Sequence, residues 1–289
     1  MDIKAIFMGV IFALIWSSAF TSARIIVADA SPLASLSLRF FLTGMIGVAL
    51  ARMMGQSWNL TRDQWRATFV FGLCQNAIYL GLNFFAMQTV QASLASIIAS
   101  TMPLMVAAAG WIVFRDRLPL AGMIGLLMGI VGVIIIMSAR MDAGVDMRGV
   151  ALCLIGAGSL TVATLSMRGA SSGGNLMMVV GLQMFVGAAF LAVASALTET
   201  VRVTLTPELV VAFVYTMLAP GLLATYIWFA LVQRIGAVKA ATFHFLNPFF
   251  GVAIAAALLG EKLGAHDILG VAIIGLGILA VQLSRAAKT

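Results

Sequence analysis

The chain is 289 residues long, 62% apolar and 9% charged, with a mean hydropathy of +1.10, whereas a soluble domain runs nearer to about 45–50% apolar and about 25% charged. Roughly 20 apolar residues cross about 30 Å of hydrocarbon, so this length holds about ten spans with short loops and excludes a large aqueous catalytic domain. The excess of 17 Lys and Arg over 10 Asp and Glu would suggest a nucleic-acid partner in a soluble protein. In so apolar a chain the same excess is loop charge on the cytoplasmic side of a bilayer, and no nucleic-acid partner is expected.

Apolar runs bounded by charge, Gly and Pro predict spans near 5–27, 33–51, 66–87, 92–114, 119–138, 148–168, 175–197, 207–232, 236–259 and 264–284. The first run exceeds the about 7–15 apolar residues of a signal peptide and is interrupted by Trp16-Ser17-Ser18, so it reads as a span. With the N-terminus cytoplasmic, the inner loops and ends collect most of the basic residues, among them Lys4, Arg52, Arg62, Arg66, Arg115 and Arg117. Only Asp2, Asp63 and Asp116 oppose them, while the outer side is close to neutral. An even span count returns the C-terminus, with Arg285 and Lys288, to the same side, as the positive-inside rule requires. Cys74 and Cys153 both lie in apolar stretches and read as packing residues rather than a disulfide or metal pair. Neither cofactor nor metal is expected.

An offset of 145 residues superposes two stretches: Pro103 on Pro248, Asp116 on Glu261, Arg117 on Lys262, Leu118 on Leu263, Gly125 on Gly270 and Gly132 on Gly277. An offset of 144 places Arg24 on Arg168. The expected organisation is therefore a first repeat over 1–140 and a second over 148–289, joined by a polar loop at 141–147. Five spans per copy is an odd number, so the second copy enters the bilayer inverted. Inverted repeats are a common architecture of secondary transporters, with the site near the midplane where the repeats meet.

Ten spans in two inverted halves, with Leu259-Gly260-Glu261-Lys262-Leu263 between spans 9 and 10 and Phe114-Arg115-Asp116-Arg117-Leu118 between 4 and 5, resemble the EamA-type branch of the drug/metabolite transporter superfamily. The resemblance covers the whole chain, and within that branch it is greatest to the YddG-type aromatic amino acid exporters. It implies an all-α membrane protein with a 5+5 arrangement, in a bacterial inner membrane, exporting amino acids and related metabolites. The first-half loop departs from the usual Gly-Glu by carrying Arg115-Asp116.

Polar residues inside spans face protein or a cavity rather than lipid. In span 3, Asn76, Tyr79 and Asn83 stand at i, i+3 and i+7 and share one face, with Gln75 beside it; either a wet cavity or a neighbouring helix supplies their partners. Span 9 carries Phe243-His244-Phe245 followed by Asn247-Pro248. A mid-span proline frees the carbonyl four residues back, which is that of His244 for Pro248 and of Ala99 for Pro103. Such carbonyls either receive a substrate ammonium group or are satisfied by hydroxyls such as those of Ser100 and Thr101.

His244 is read as the one deep ionisable group, Lys239 and Arg39 lying near enough to span ends to snorkel. On that reading, phosphate cargo is disfavoured for want of a deep cation. The absence of a mid-span Asp or Glu argues against carboxylate-coupled proton exchange, leaving His244 coupling or a facilitator. The expected cargo is a small zwitterionic or neutral metabolite, held against aromatic walls.

The candidate binding residues are Trp16, Phe20, Asn76, Tyr79, Asn83, Thr101, Tyr226, Phe243, His244 and Asn247, with kinks at Pro103, Pro220 and Pro248. Carriers of drugs, amines or purines on the same fold remain an open alternative. An intramembrane enzyme built on Ser159 and His244 is a remote one, since no Gly-x-Ser-x-Gly pattern is present. Glycines in spans 5 and 10 permit close helix contact, within a monomer or at the seam of a homodimer.

Overall fold

The computed structural model describes residues 3–113, 115, 119–142, 144–166, 173–235, 240 and 242–286. The regular elements among them are helices; one isolated bridge pairs Ala30 with Val203. Eight helices are long and apolar enough to cross a membrane: α1 (Ile3–Asp29), α2 (Pro32–Met53), α3 (Arg62–Ala86), α4 (Ala92–Ile112), α5 (Leu120–Asp142), α6 (Met147–Ser166), α7 (Leu176–Thr198) and α8 (Pro207–Ile235). Two more apolar helices follow, α9 (Asn247–Leu259), preceded by a 3-10 turn at Thr242–Leu246, and α10 (Ala265–Ala286). The helices present Leu127, Ile134, Val193, Leu197, Val211 and Leu258 more than half exposed, a surface that suits hydrocarbon and not water.

Local chemistry sets the helix boundaries. Pro32 and Pro207 occupy first-turn positions of α2 and α8, where a missing N–H costs nothing. Thr61 and Gln64 form a reciprocal capping box at the start of α3. Two other N-termini are capped from a distance by carboxylates. Glu199 accepts from the Leu33 and Ala34 amides at 2.8 and 2.9 Å, and Glu261 accepts from the Ala92 and Ser93 amides at 2.9 and 3.1 Å. Negative charge at a helix N-terminus is favourable because the macrodipole and the free N–H groups point there. The Gly260-Glu261 pair thereby acquires a structural role: Gly260 closes α9 in a left-handed conformation, φ +65°, and Glu261 then holds the start of α4. Of the corresponding first-half segment, Phe114, Asp116, Arg117 and Leu118 lie outside the described residues, as does Arg168.

Neither of the proline-bearing spans 4 and 9 is a single kinked helix. α4 breaks at Thr101 and resumes with Pro103 in the first turn of its second segment. Its hydroxyls turn back on nearby carbonyls, Ser100 on Ser96 at 2.6 Å and Thr101 on Ile98 at 2.7 Å. Pro248 likewise sits in the first turn of α9, after the 3-10 turn. Of the predicted ninth span, residues 236–239 and 241 lie outside those described.

The π-helical stretches were not predicted. Within α3 the segment Gly72–Tyr79, and within α8 the segment Met217–Ala224, are π-helical and eight residues long. They are separated by the same 145 residues that relate the two sequence repeats. In the second, Pro220 lies inside the helix, where the wider register removes the need for the N–H that proline lacks.

Packing follows a regular scheme. The most extensive helix pairs are α5 on α10 and α2 on α7, and α9 also packs along the first segment of α4. Each of these joins a helix to its predicted counterpart in the other half. The α2–α7 pair closes over glycine: a methyl added at Gly47 would stand 3.0 Å from the Gly181 Cα, and one at Gly181 2.8 Å from the Val48 nitrogen. α3 packs on α6 as α8 packs on α1, and α1 packs on α9 as α6 packs on α4.

Candidate functional site

A cavity lies between α1–α3 of the first sequence half and α7 and α8 of the second. α1 contributes Trp16, Phe20 and Ala23, α2 contributes Arg39 and Phe40, and α3 contributes Gln75, Asn76, Tyr79, Asn83 and Phe84. From the second half come Met184 of α7 and Pro220, Gly221 and Thr225 of α8. Both π-helical segments line it. Such segments recur at functional sites because they interrupt the regular backbone ladder.

Two asparagines face the cavity with the same polarity. Asn76 donates through Nδ2 to the Gln183 carbonyl at 3.0 Å, and Asn83 donates through Nδ2 to the Tyr79 carbonyl at 2.8 Å. Since a carbonyl can only accept, these partners fix which end of each amide is nitrogen. The two Oδ1 atoms are left buried and without a partner, which is costly unless a ligand or water completes them.

The same cavity holds a cation, Arg39. It is 3% exposed, with its guanidinium carbon 4.3 Å from the Phe40 ring centroid and 5.6 Å from that of Phe84. Its Nε is buried without a hydrogen-bond partner. The expectation that Arg39 snorkels to a span end is therefore wrong, and with it the premise that no cation enters the bundle. The helix turns this side chain inward because Ser35, Arg39 and Thr43, at i, i+4 and i+8, form one buried stripe. That spacing was the available sequence signal. The Thr43 hydroxyl donates to the Arg39 carbonyl at 2.7 Å, tying the stripe to its own backbone.

Of the predicted site residues, Trp16, Phe20, Asn76, Tyr79, Asn83 and Pro220 meet at this cavity. Five others do not line it. Phe243, His244 and Asn247 belong to a separate cluster in which His244 Nδ1 lies 2.8 Å from Asn247 Nδ2. The imidazole there packs edge-on against Phe12 at 5.4 Å and Trp228 at 4.9 Å. Thr101 lines a different, apolar groove with Leu104, Gly129 and Val133. Tyr226 packs, partly buried, against the main core. The two regions touch through α1, where Trp16 of the cavity wall lies 5.5 Å from Phe12 of the histidine cluster. Ser159 donates to the Cys74 carbonyl at 2.8 Å, so it bridges α6 to the π-segment of α3 instead of pairing with His244.

A family model described as the EamA-like transporter family matches residues 3–138 and, a second time, 147–283. The chain belongs to the EamA-like transporter family. It is a multi-span membrane protein of transport type, and the family points to a transporter and not an enzyme. Among similar proteins, the uncharacterized transporter YvbV of Bacillus subtilis (strain 168) is 23% identical over 95% of this chain and 90% of its own length. The probable amino-acid metabolite efflux pump of Salmonella typhimurium is 25% identical over 94% of this chain and 92% of its own. A solved crystal structure superposes over the whole of both chains with a TM-score of 0.70 at 20% identity, a likeness of fold.

In this EamA-like transporter the site offers a buried cation, two orphaned acceptors and an aromatic wall. No Asp, Glu or His is among the residues lining it. That set can hold a small molecule reversibly and has no nucleophile paired with a base.

Proposed function

We propose that this EamA-like transporter is a secondary exporter of amino acids with aromatic or other apolar side chains, and of related metabolites, across the bacterial inner (plasma) membrane. It works by alternating access. Ten spans form two inverted five-helix repeats, residues 1–140 and 148–289, with both termini cytoplasmic, and the cargo binds in the cavity between them. The observation that carries this reading is the cavity itself, walled by α1–α3 of one half and α7–α8 of the other and flanked by Trp16, Phe20, Phe40, Tyr79 and Phe84. A site at the junction of two inverted halves becomes accessible from either side as one half rocks against the other.

The inverted arrangement is supported by the doubled match of the family model, by the π-segments 145 residues apart and by the pairing of α2 with α7, α4 with α9 and α5 with α10. The cargo class is supported by the aromatic wall and by the efflux-pump relative. The test is uptake of radiolabelled amino acids into proteoliposomes holding the purified protein, with counterflow to show carrier behaviour. Saturable flux of phenylalanine, tryptophan or leucine is expected; the absence of saturable flux for every amino acid would overturn the reading. Orientation is checked separately by labelling single cysteines placed at the two termini.

A further inference from the structure

Beyond its cation–π contacts with Phe40 and Phe84, the Arg39 side chain makes no hydrogen bond or ion pair with the described residues. A guanidinium carries five N–H donors in a planar fork, yet this one is 3% exposed, its Nε is orphaned, and among the described residues no carboxylate or carbonyl accepts from it. Its contacts are two phenyl rings. A buried unpaired charge is among the most expensive features a protein can hold. One that lines a cavity is explained when the partner arrives with the ligand.

We infer that Arg39 receives the carboxylate of the cargo, and that the buried Oδ1 atoms of Asn76 and Asn83 receive its ammonium group. The inference rests on the exporter reading only for the claim that cargo enters this cavity. The guanidinium fork matches a carboxylate in two parallel charge-assisted hydrogen bonds. The asparagine oxygens are buried acceptors without a hydrogen-bond partner, which suits the N–H groups of an ammonium. Both asparagines stand on α3 while Arg39 stands on α2, so the two ends of a zwitterion bridge different helices. The apolar remainder of the molecule then lies along Trp16, Phe20 and Tyr79. Recognition is thus assigned to the amino-acid backbone, with tolerance in the side chain left to an aromatic wall that has no directional demands.

Thermal unfolding of the purified full-length protein in detergent, with a ligand panel, tests this directly. The panel holds phenylalanine, leucine and alanine, each beside its carboxamide, which lacks the carboxylate, and its deaminated acid, which lacks the ammonium. Amino acids should raise the unfolding temperature most, deaminated acids less, and carboxamides not at all. Arg39→Met should weaken the amino acids and the acids by about tenfold or more, the usual worth of a hydrogen bond to a charged group. Arg39→Lys, which keeps the charge without the fork, should fall between. Asn76→Leu combined with Asn83→Leu should weaken the amino acids while sparing the deaminated acids. A residue serving structure alone would make Arg39→Met less stable without ligand; relief of an unpaired buried charge should make it more stable.

Carboxamides binding as well as amino acids, undiminished binding by Arg39→Met, or no carboxylate ligand binding at all would each overturn the inference. Should Arg39→Met not fold, Arg39→Lys and the wild-type panel decide it. The two proposals fail separately. A protein that binds phenylalanine through Arg39 yet gives no flux loses the export reading and keeps the site. One that carries phenylalanine and its carboxamide alike, with Arg39→Met unimpaired, loses the site and keeps the transport.

Discussion

Gly125 of α5 lies against the carbonyl oxygen of Gly277 of α10, and the contact is reciprocal: a methyl on either residue would stand 2.6 Å from the other's carbonyl oxygen. Gly132 and Gly270 repeat the arrangement at 2.8 Å in both directions. Since an offset of 145 relates Gly125 to Gly270 and Gly132 to Gly277, each glycine meets the repeat-equivalent of the other. Contacts of i with j′ and of j with i′ are what a two-fold axis produces between identical subunits; here they occur within one chain. The glycines meet inside the molecule, where the sequence had left a dimer seam equally open.

Substitution at this seam should therefore be costly and non-additive. Gly125→Ala forces a methyl into a carbonyl, and overpacking of this kind costs about 1–3 kcal/mol. Gly277→Ala presses on the same gap from the other side. Once one substitution has pushed α5 and α10 apart, the second meets less resistance, so the double variant should cost less than the two singles added. Thermal unfolding of the four proteins in one detergent measures this; strict additivity would mean that the helices do not share the contact.

The carboxylate cap on α4 makes a second stability prediction. Glu261 satisfies two backbone donors with two oxygens, so Glu261→Gln removes the charge and leaves only one acceptor, while Glu261→Ala removes both. Hydrogen bonds to charged groups contribute about 1.5–3 kcal/mol. The expected order of unfolding temperature is wild type, then Glu261→Gln, then Glu261→Ala. Glu199 on the start of α2 should give the same order. Equal stability of all three proteins in either series would show that water replaces the cap.

How much of this was legible beforehand depends on what each feature rests on. Helix starts at Pro32 and Pro207, the stop at Gly260 and the stripe Asn76, Tyr79, Asn83 follow from local chemistry and period, and the sequence displays them. The π-segments do not: the first packs closely on α7, where a methyl at Gly72 would stand 2.6 Å from the Gln183 carbonyl, a tertiary contact, and Pro220 in the second read as a kink. Arg39 was misread since distance from a span end was weighed and the face it shares with Ser35 and Thr43 was not. The separation of His244 from Asn76 and Tyr79 was hidden too. It depends on Phe12 and Trp228 closing around the imidazole, residues far apart in sequence.

That separation is itself testable. His244 Nδ1 and the Asn247 side-chain amide lie 2.8 Å apart and are hydrogen-bonded to each other. His244→Phe preserves the aromatic packing and removes the hydrogen-bond partner of the Asn247 amide, an unsatisfied buried group costing about 1–3 kcal/mol. The variant should unfold at lower temperature while binding phenylalanine in the cavity with unchanged affinity. By contrast, Asn76→Leu should weaken binding. A loss of affinity in His244→Phe matching that in Asn76→Leu would place the imidazole at the cargo.

The residues around the cavity also bear on energy coupling. A proton-coupled carrier needs a group that is protonated on one side and released on the other, within reach of the cargo so that the two bindings exclude or require each other. Among the described residues, the lining side chains include no carboxylate and no imidazole. Cargo should accordingly run down its own gradient: counterflow in proteoliposomes at equal pH on both sides should proceed unchanged when a proton ionophore is added, and an imposed pH gradient should not drive accumulation. Accumulation that tracks the pH gradient and collapses with the ionophore would contradict this. The proton would then have to travel through a group outside the cavity wall, and His244, joined to that wall through Phe12 and Trp16, would be the residue to substitute next.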